Sequence, residues 1–164
     1  MTSPGTDLHV VLVEPEIHWN TGNAGRTCLA AGAQLHLVGP LGFSLEDKEV
    51  RRAGLDYWPR VAPRVWSDWP TFEQALPSLG APFLFTARAP RNFQDAAYAR
   101  PAVLIFGRES VGLDPQILAR HADHTVAIPM RDRELRSLNL STSVALAVYE
   151  VRRQWGWGKN TSQK

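Results

Sequence analysis

Two stretches, Leu8–Val13 and Ala102–Phe106, constrain this chain more than any others: each is unbroken in its apolar character and each leads into a turn. A strand with one wet face alternates apolar and polar residues. A strand apolar throughout is covered on both faces, the pattern of a parallel sheet between helices. Shorter strands are expected at Leu35–Val38, Val61–Trp66, Phe83–Thr86 and Val126–Met130. Helical stretches separate them. One follows the turn formers Asn20–Asn23 and stops at Gly32, and one begins at Ser44 with Asp47 three residues on and runs to Ala53. Two more are expected near Thr71–Leu76 and Asp114–His121. Strands alternating with helices imply an α/β fold around a parallel sheet.

The last third has the clearest order. Val126-Ala-Ile-Pro-Met130 reads as a buried strand closed by Pro129, and Arg131–Arg136 as a charged loop that offers nothing to a core. Leu140, Val144, Val148, Val151 and Trp155 then recur at helical spacing. Asn139, Ser141, Thr142 and Ser143 crowd the start, where short polar side chains accept the unpaired amides of a first turn. Ala145, Leu146 and Tyr149 make the other side of this helix apolar as well, so it is expected to pack on two surfaces.

A length of 164 residues suits one domain, read here as residues 1–156 with a polar tail at 157–164. Hydrophobic residues make up 44% and charged ones 21%, which excludes a disordered chain. No apolar run reaches the roughly 20 residues of a membrane helix, and Met1–Asp7 lacks the basic and apolar regions of a secretory leader. A single cysteine, Cys28, excludes an internal disulfide framework and lies in an apolar helical stretch, as a small core residue would. These features suit a reducing cytoplasm. The formal net charge is only +2, yet fifteen of the eighteen basic residues are arginines, the side chain suited to bidentate phosphate contact.

In a parallel sheet, ligands collect outside the carboxyl ends of the strands. Three segments fall at such ends: Asn20–Arg26, Gly107–Gly112 and Pro129–Ser141. The first opens a helix, where amides and the helix dipole favour an anion, and Arg26 is expected to face back toward the strand end. It is neither a GxGxxG fingerprint nor a P-loop, and taken alone it reads equally as a structural turn. Gly107-Arg-Glu-Ser-Val-Gly112 likewise reads either as a plain turn or as a place where a flat, adenine-like ligand approaches the backbone. His121 and His124 stand three apart without a third ligand, His9, His18 and His36 are scattered, and no metal site is expected.

Together, the three segments resemble the motifs of the SPOUT-superfamily RNA 2′-O-ribose methyltransferases: Asn20-Thr-Gly-Asn-x-x-Arg26, Phe106-Gly-x-Glu-Ser-x-Gly-Leu113, and Ile128-Pro-Met with Ser137-Leu-Asn-Leu-Ser141. Glu14-Pro-Glu-Ile17, Asp47-Lys48 and Arg51-Arg-Ala-Gly-Leu-Asp-Tyr57 are similar to the small branch that methylates the wobble nucleotide of tRNA, cytidine or uridine 34. Arg108 and the charged Arg131–Glu134 loop depart modestly from the pattern.

The resemblance implies an α/β domain whose C-terminal segment forms a trefoil knot, and a homodimer whose sites are completed across the interface. It implies S-adenosylmethionine as cofactor, bound by Phe85, Gly107, Ile128, Ser137 and Leu138. The substrate would be the anticodon loop of tRNA, with Arg26 catalytic, Asn23, Arg26 and Tyr149 on the RNA, and Arg51, Arg52, Arg88, Arg91, Arg152 and Arg153 as candidate phosphate contacts. Other readings stay open at this stage: another tRNA or ribosomal RNA nucleotide as target, a module that binds cofactor and RNA without turnover, or a nucleotide-binding α/β protein.

Overall fold

The computed structural model describes residues 6–46 and 56–158. Six strands lie in one parallel sheet among these residues: β1 (Leu8–Val13), β2 (Gln34–Val38), β3 (Arg64–Trp66), β4 (Ala81–Phe85), β5 (Ala102–Phe106) and β6 (Thr125–Val126). Their order is β3-β2-β1-β5-β4-β6. The two uninterrupted apolar runs therefore sit side by side at the centre, Leu8 opposite Ala102 and Leu12 opposite Phe106. Between strands run α1 (His18–Ala31), α2 (Trp58–Val61), α3 (Trp69–Leu79) and α4 (Pro115–Arg120), and α5 (Leu140–Trp155) closes the fold.

Side-chain alternation along the strands divides the core in two. Leu8, Val10, Leu12, Leu35, Leu37, Leu104 and Phe106 face α1 and α5. Val11, Val13, Val38, Leu84, Val103 and Ile105 face α3 and α4, where Phe72, Leu76 and Ile117 cover them. The helical spacing read for α5 holds: Leu140, Val144, Val148 and Val151 are buried and Trp155 packs at the margin. Each such side chain contributes about 1.5–3 kcal/mol of burial. Cys28 is buried in the same core, and burial pushes its thiol up to about 12.

Two histidines lie inside the second core. The Trp66 indole N–H, which can only donate, reaches His36 Nδ1 at 3.0 Å. That fixes the remaining ring proton of neutral His36 on Nε2, from which it donates to His9 Nδ1 at 2.9 Å. His36 is fully buried, and desolvation, with help from His9 and Arg64, holds its pKa down at about 3. His9 is lowered as well, first by burial and then by Arg64.

Several boundaries differ from the sequence reading. α1 begins at His18, so Asn20–Asn23 are helical residues and not a turn before the helix. Gly32 does stop α1, in the left-handed conformation at φ 70°. Val61 ends α2, leaving β3 only Arg64–Trp66, and β6 is only Thr125–Val126, with Ala127–Met130 already loop. α3 is longer than read, because Asp68 caps it at 2.9 Å from the Thr71 amide and Pro70 fits the first turn. Leu146 and Tyr149, the second apolar side of α5, are exposed in the single chain. The expected helix from Ser44 is not yet formed at Ser44–Glu46, and its remainder lies outside the described residues.

Candidate functional site

The parallel arrangement places the ends of β1, β5, β4 and β6 side by side in that order. The polypeptide leaving them makes one cluster. β1 ends at Val13, Glu14 follows as a non-glycine residue at φ 51°, and the chain turns through Pro15–Ile17 into α1. α1 has no side-chain cap of its own. Its cap comes from the segment after β5: the Glu109 carboxylate accepts from the Glu16 amide at 2.8 Å and the Ile17 amide at 3.2 Å, with Asn20 Nδ2 at 3.5 Å. The contact is returned, since the Glu16 carboxylate accepts from the Ser110 amide at 3.0 Å and its hydroxyl at 2.6 Å. These bonds hold the Glu16 carboxyl below its ordinary pKa.

Asn20 carries the link onward. It is buried, and its Oδ1 accepts from Asn139 Nδ2 at 3.0 Å. Asn139 in turn caps α5, accepting from the Ser141 and Thr142 amides at 2.9 and 3.3 Å. Of the four polar residues expected to serve that end, Asn139 alone is the cap. A single polar chain, Glu16–Glu109–Asn20–Asn139, thus ties all three strand-end segments together. Sequence reading singled out Asn23 and missed Asn20, Glu16 and Glu109, whose roles depend on contacts across about 90 residues.

The expected cofactor residues fall on the same strand ends and the segments that follow them. Phe85 ends β4 and stacks on Phe106 with centroids 4.6 Å apart and planes at 15°. Gly107 follows β5, Ile128 follows β6, and Ser137 and Leu138 precede α5. Gly107 has a different structural reason from the one expected. A Cβ there would lie 2.1 Å from Gly112 C and Leu113 N, so the close approach is made by the chain's own backbone. The loop folds back through an Arg108–Gly112 bridge, and Gly112 takes φ 73°. The amides of Ile128, Met130, Ser137 and Leu138 meet no protein acceptor among the described residues. The side chains of Ile128, Met130 and Leu138 on the same segment are half-buried. Open amides on a segment with half-buried apolar side chains are the donors a nucleoside group held by backbone contacts would use. Among the described residues, no three His, Cys, Asp or Glu side chains come together as a metal site would need.

Arg26 lies elsewhere. It stands in the third turn of α1, exposed, with its guanidinium 5.6 Å from the Tyr57 ring centroid. It lines an open depression of about 600 Å³ with Leu29, Ala30, Asp56, Tyr57 and Arg60. Its recorded partner is this ring, and not the strand-end cluster it was expected to face. Asn23 is exposed one turn nearer the helix start, and Tyr149 is exposed on α5 against Trp157. Of the candidate phosphate contacts, Arg88 and Arg91 are exposed. Arg152 instead closes the end of α1, donating to Ala31 O at 2.8 Å, and Arg153 clamps Glu150. Arg51 and Arg52 lie outside the described residues.

Comparison with known proteins agrees with this geometry. A tRNA (cytidine(34)-2′-O)-methyltransferase of Burkholderia pseudomallei is 47% identical over 152 residues, 92% of this chain and 97% of that protein. A solved structure concerned with 2′-OH methylation of C/U34 on tRNA superposes with TM-score 0.83 at 43% identity, covering 94% of each chain. The SpoU methyltransferase AviRb from Streptomyces viridochromogenes, in complex with AdoMet, matches with TM-score 0.73 at 25% identity over 93% of this chain and 60% of that one. The model of the SpoU rRNA methylase family matches residues 7–149, all three strand-end segments included, and the chain belongs to that family.

Proposed function

We propose that this protein is an S-adenosylmethionine-dependent methyltransferase acting on the ribose 2′-hydroxyl of tRNA nucleotide 34. The observation that carries the reading is the joining of three strand-end segments by Asn20, within a chain 47% identical to a relative named for that reaction. The cofactor site is assigned to Phe85, Gly107, Ile128, Ser137 and Leu138, with open backbone amides as donors. Bound there, S-adenosylmethionine supplies a methyl group already activated on a sulfonium. What remains for the protein is alignment of the 2′-oxygen and removal of its proton.

Arg26 is assigned to the reacting hydroxyl. A guanidinium stays protonated, so its role is to orient the ribose and stabilise negative charge developing on the oxygen. Asn23 and Tyr149 are assigned to the anticodon loop, and Arg88 and Arg91 to phosphates. Because Arg26 and the cofactor cluster are separate within one chain, the reading includes a homodimer in which Arg26 serves the partner's site. The exposed Leu146 on α5 supports an interface there. The reading also includes a single domain over residues 1–156, a trefoil knot made with the Gly107–Gly112 and Pro129–Ser141 loops and α5, and a cytoplasmic location.

The test is methyl transfer from labelled S-adenosylmethionine to tRNA lacking its own nucleotide-34 methylation, followed by mapping of the modified ribose. Label at the 2′-oxygen of nucleotide 34 is expected. Label at another nucleotide would keep the chemistry and discard the substrate assignment. Cofactor binding without transfer to any RNA would refute the enzyme reading.

A further inference from the structure

We propose that Tyr57 is a positioning residue for Arg26, holding its guanidinium where the substrate hydroxyl arrives; this rests on the assignment of Arg26 above. An exposed arginine on a helix samples many rotamers, worth about 2 kcal/mol of side-chain entropy when one geometry is required. Here one aromatic side chain spans two consecutive turns of the same helix face. The Tyr57 hydroxyl donates to Gly22 O at 3.0 Å, and its ring lies 5.6 Å from the Arg26 guanidinium. Residues 22 and 26 are four apart, one above the other on α1. The hydroxyl bond therefore fixes the ring at the height where the guanidinium rests on it.

The backbone carrying the ring is fixed too. Trp58 and Val61 of α2 are buried against α1, and a Cβ at Gly25 would meet Trp58 Cζ3 at 3.0 Å and Val61 Cγ1 at 3.2 Å. Gly25 thus allows α2 to dock close enough for Tyr57 to reach both turns. The held guanidinium still borders the open depression, where an RNA strand can reach it.

The test compares single-turnover methylation and cofactor affinity for Tyr57→Leu, Tyr57→Phe and Arg26→Ala, well below the melting temperature of each. Losing the ring is expected to slow methyl transfer on the order of fivefold to thirtyfold, with cofactor affinity unchanged. Tyr57→Phe, which keeps the ring, should stay within about threefold of wild type. Adding Tyr57→Leu to Arg26→Ala should slow it no further. Full activity of Tyr57→Leu beside a slow Arg26→Ala would overturn this inference alone, as would an equal loss in both backgrounds. Wild-type turnover by Arg26→Ala would remove the Arg26 assignment and this inference with it. Should Tyr57→Leu not fold, the Arg26 Nε–H resonance decides. A ring-current upfield shift shared by wild type and Tyr57→Phe is expected, and a shift like that of Arg88 would overturn the proposal.

Discussion

Replacing Glu109 with alanine tests whether α1 is capped from across the sheet. The carboxylate accepts two backbone amides, Glu16 and Ile17, and lies at the long limit from Asn20 Nδ2. Loss of a helix cap costs about 1 kcal/mol, and loss of a negative charge at a helix start roughly 0.3–1 kcal/mol more. The half-buried amides left behind are partly solvated, so the total is about 2 kcal/mol. For a chain of this size that lowers Tm by about 4–8 °C. Glu109→Gln keeps one acceptor oxygen and loses the charge, so about half that loss is expected. Because Asn20 and Asn139 depend on the same chain of contacts, affinity for S-adenosylmethionine should fall with stability in Glu109→Ala. Urea unfolding and calorimetric titration measure both. A Glu109→Ala protein within about 0.5 kcal/mol of wild type, with unchanged cofactor affinity, would refute the idea that this carboxylate joins the segments.

Other consequences follow from the same geometry. Gly107→Ala drives a Cβ into the backbone of Gly112 and Leu113 and should cost about 3 kcal/mol in thermal unfolding, whereas Gly112→Ala meets open space and should cost only about 1 kcal/mol of φ strain; the reverse order would refute the reading of this loop. Below pH 6.5 the unfolded chain takes up a proton that native His36 refuses until about pH 3, so acidification favours unfolding across that window. The unfolding free energy should fall by roughly 1.4 kcal/mol per pH unit from His36, with His9 acting in the same direction, and a flat profile between pH 6.5 and 4.5 would contradict the buried neutral pair. Arg88→Ala and Arg91→Ala should each reduce the salt dependence of tRNA binding by about one unit of slope, measured by filter binding. Arg152→Ala should lower Tm instead, because its Nε already serves the end of α1; an unchanged Tm would reject that role.

The architecture was legible wherever a residue's neighbours along the chain decide its fate. Leu8–Val13 and Ala102–Phe106 had to be central, because apart from His9 every residue in them is apolar. Leu140 through Trp155 had to be a helix with a buried stripe, although the second apolar side expected of it is exposed in the single chain, and Gly32 marked a stop that the left-handed residue confirms. β3 and β6 were overestimated for a related reason. Val61 and Ile128 are apolar enough to extend a strand, but Val61 is used to dock α2 on Gly25, and before Ile128 the chain has passed the end of β4, Ala127 bonding with Arg91 and Phe93 instead.

What sequence could not show is where a segment begins when its boundary group comes from elsewhere. Residues 20–23 read as a turn because Asn, Thr, Gly and Asn are poor helix formers and no cap precedes them nearby. The entry to the helix is held instead by Glu109, 92 positions beyond Ile17, which accepts the amides of the cap residue Ile17 and of Glu16 before it. Their poor propensity then serves the site. Asn20 reaches both other segments because it is buried in the first turn of the helix, and Gly25 leaves room for Trp58 and Val61 to lie against it, which brings the Tyr57 hydroxyl to Gly22 O. A stronger helix former at 20 or 25 would favour α1 locally by several tenths of a kcal/mol. It would do so by removing the contacts through which α1 meets the strand-end cluster on one side and Tyr57 on the other. The weak start of α1 is therefore the feature from which both proposed halves of the site are built.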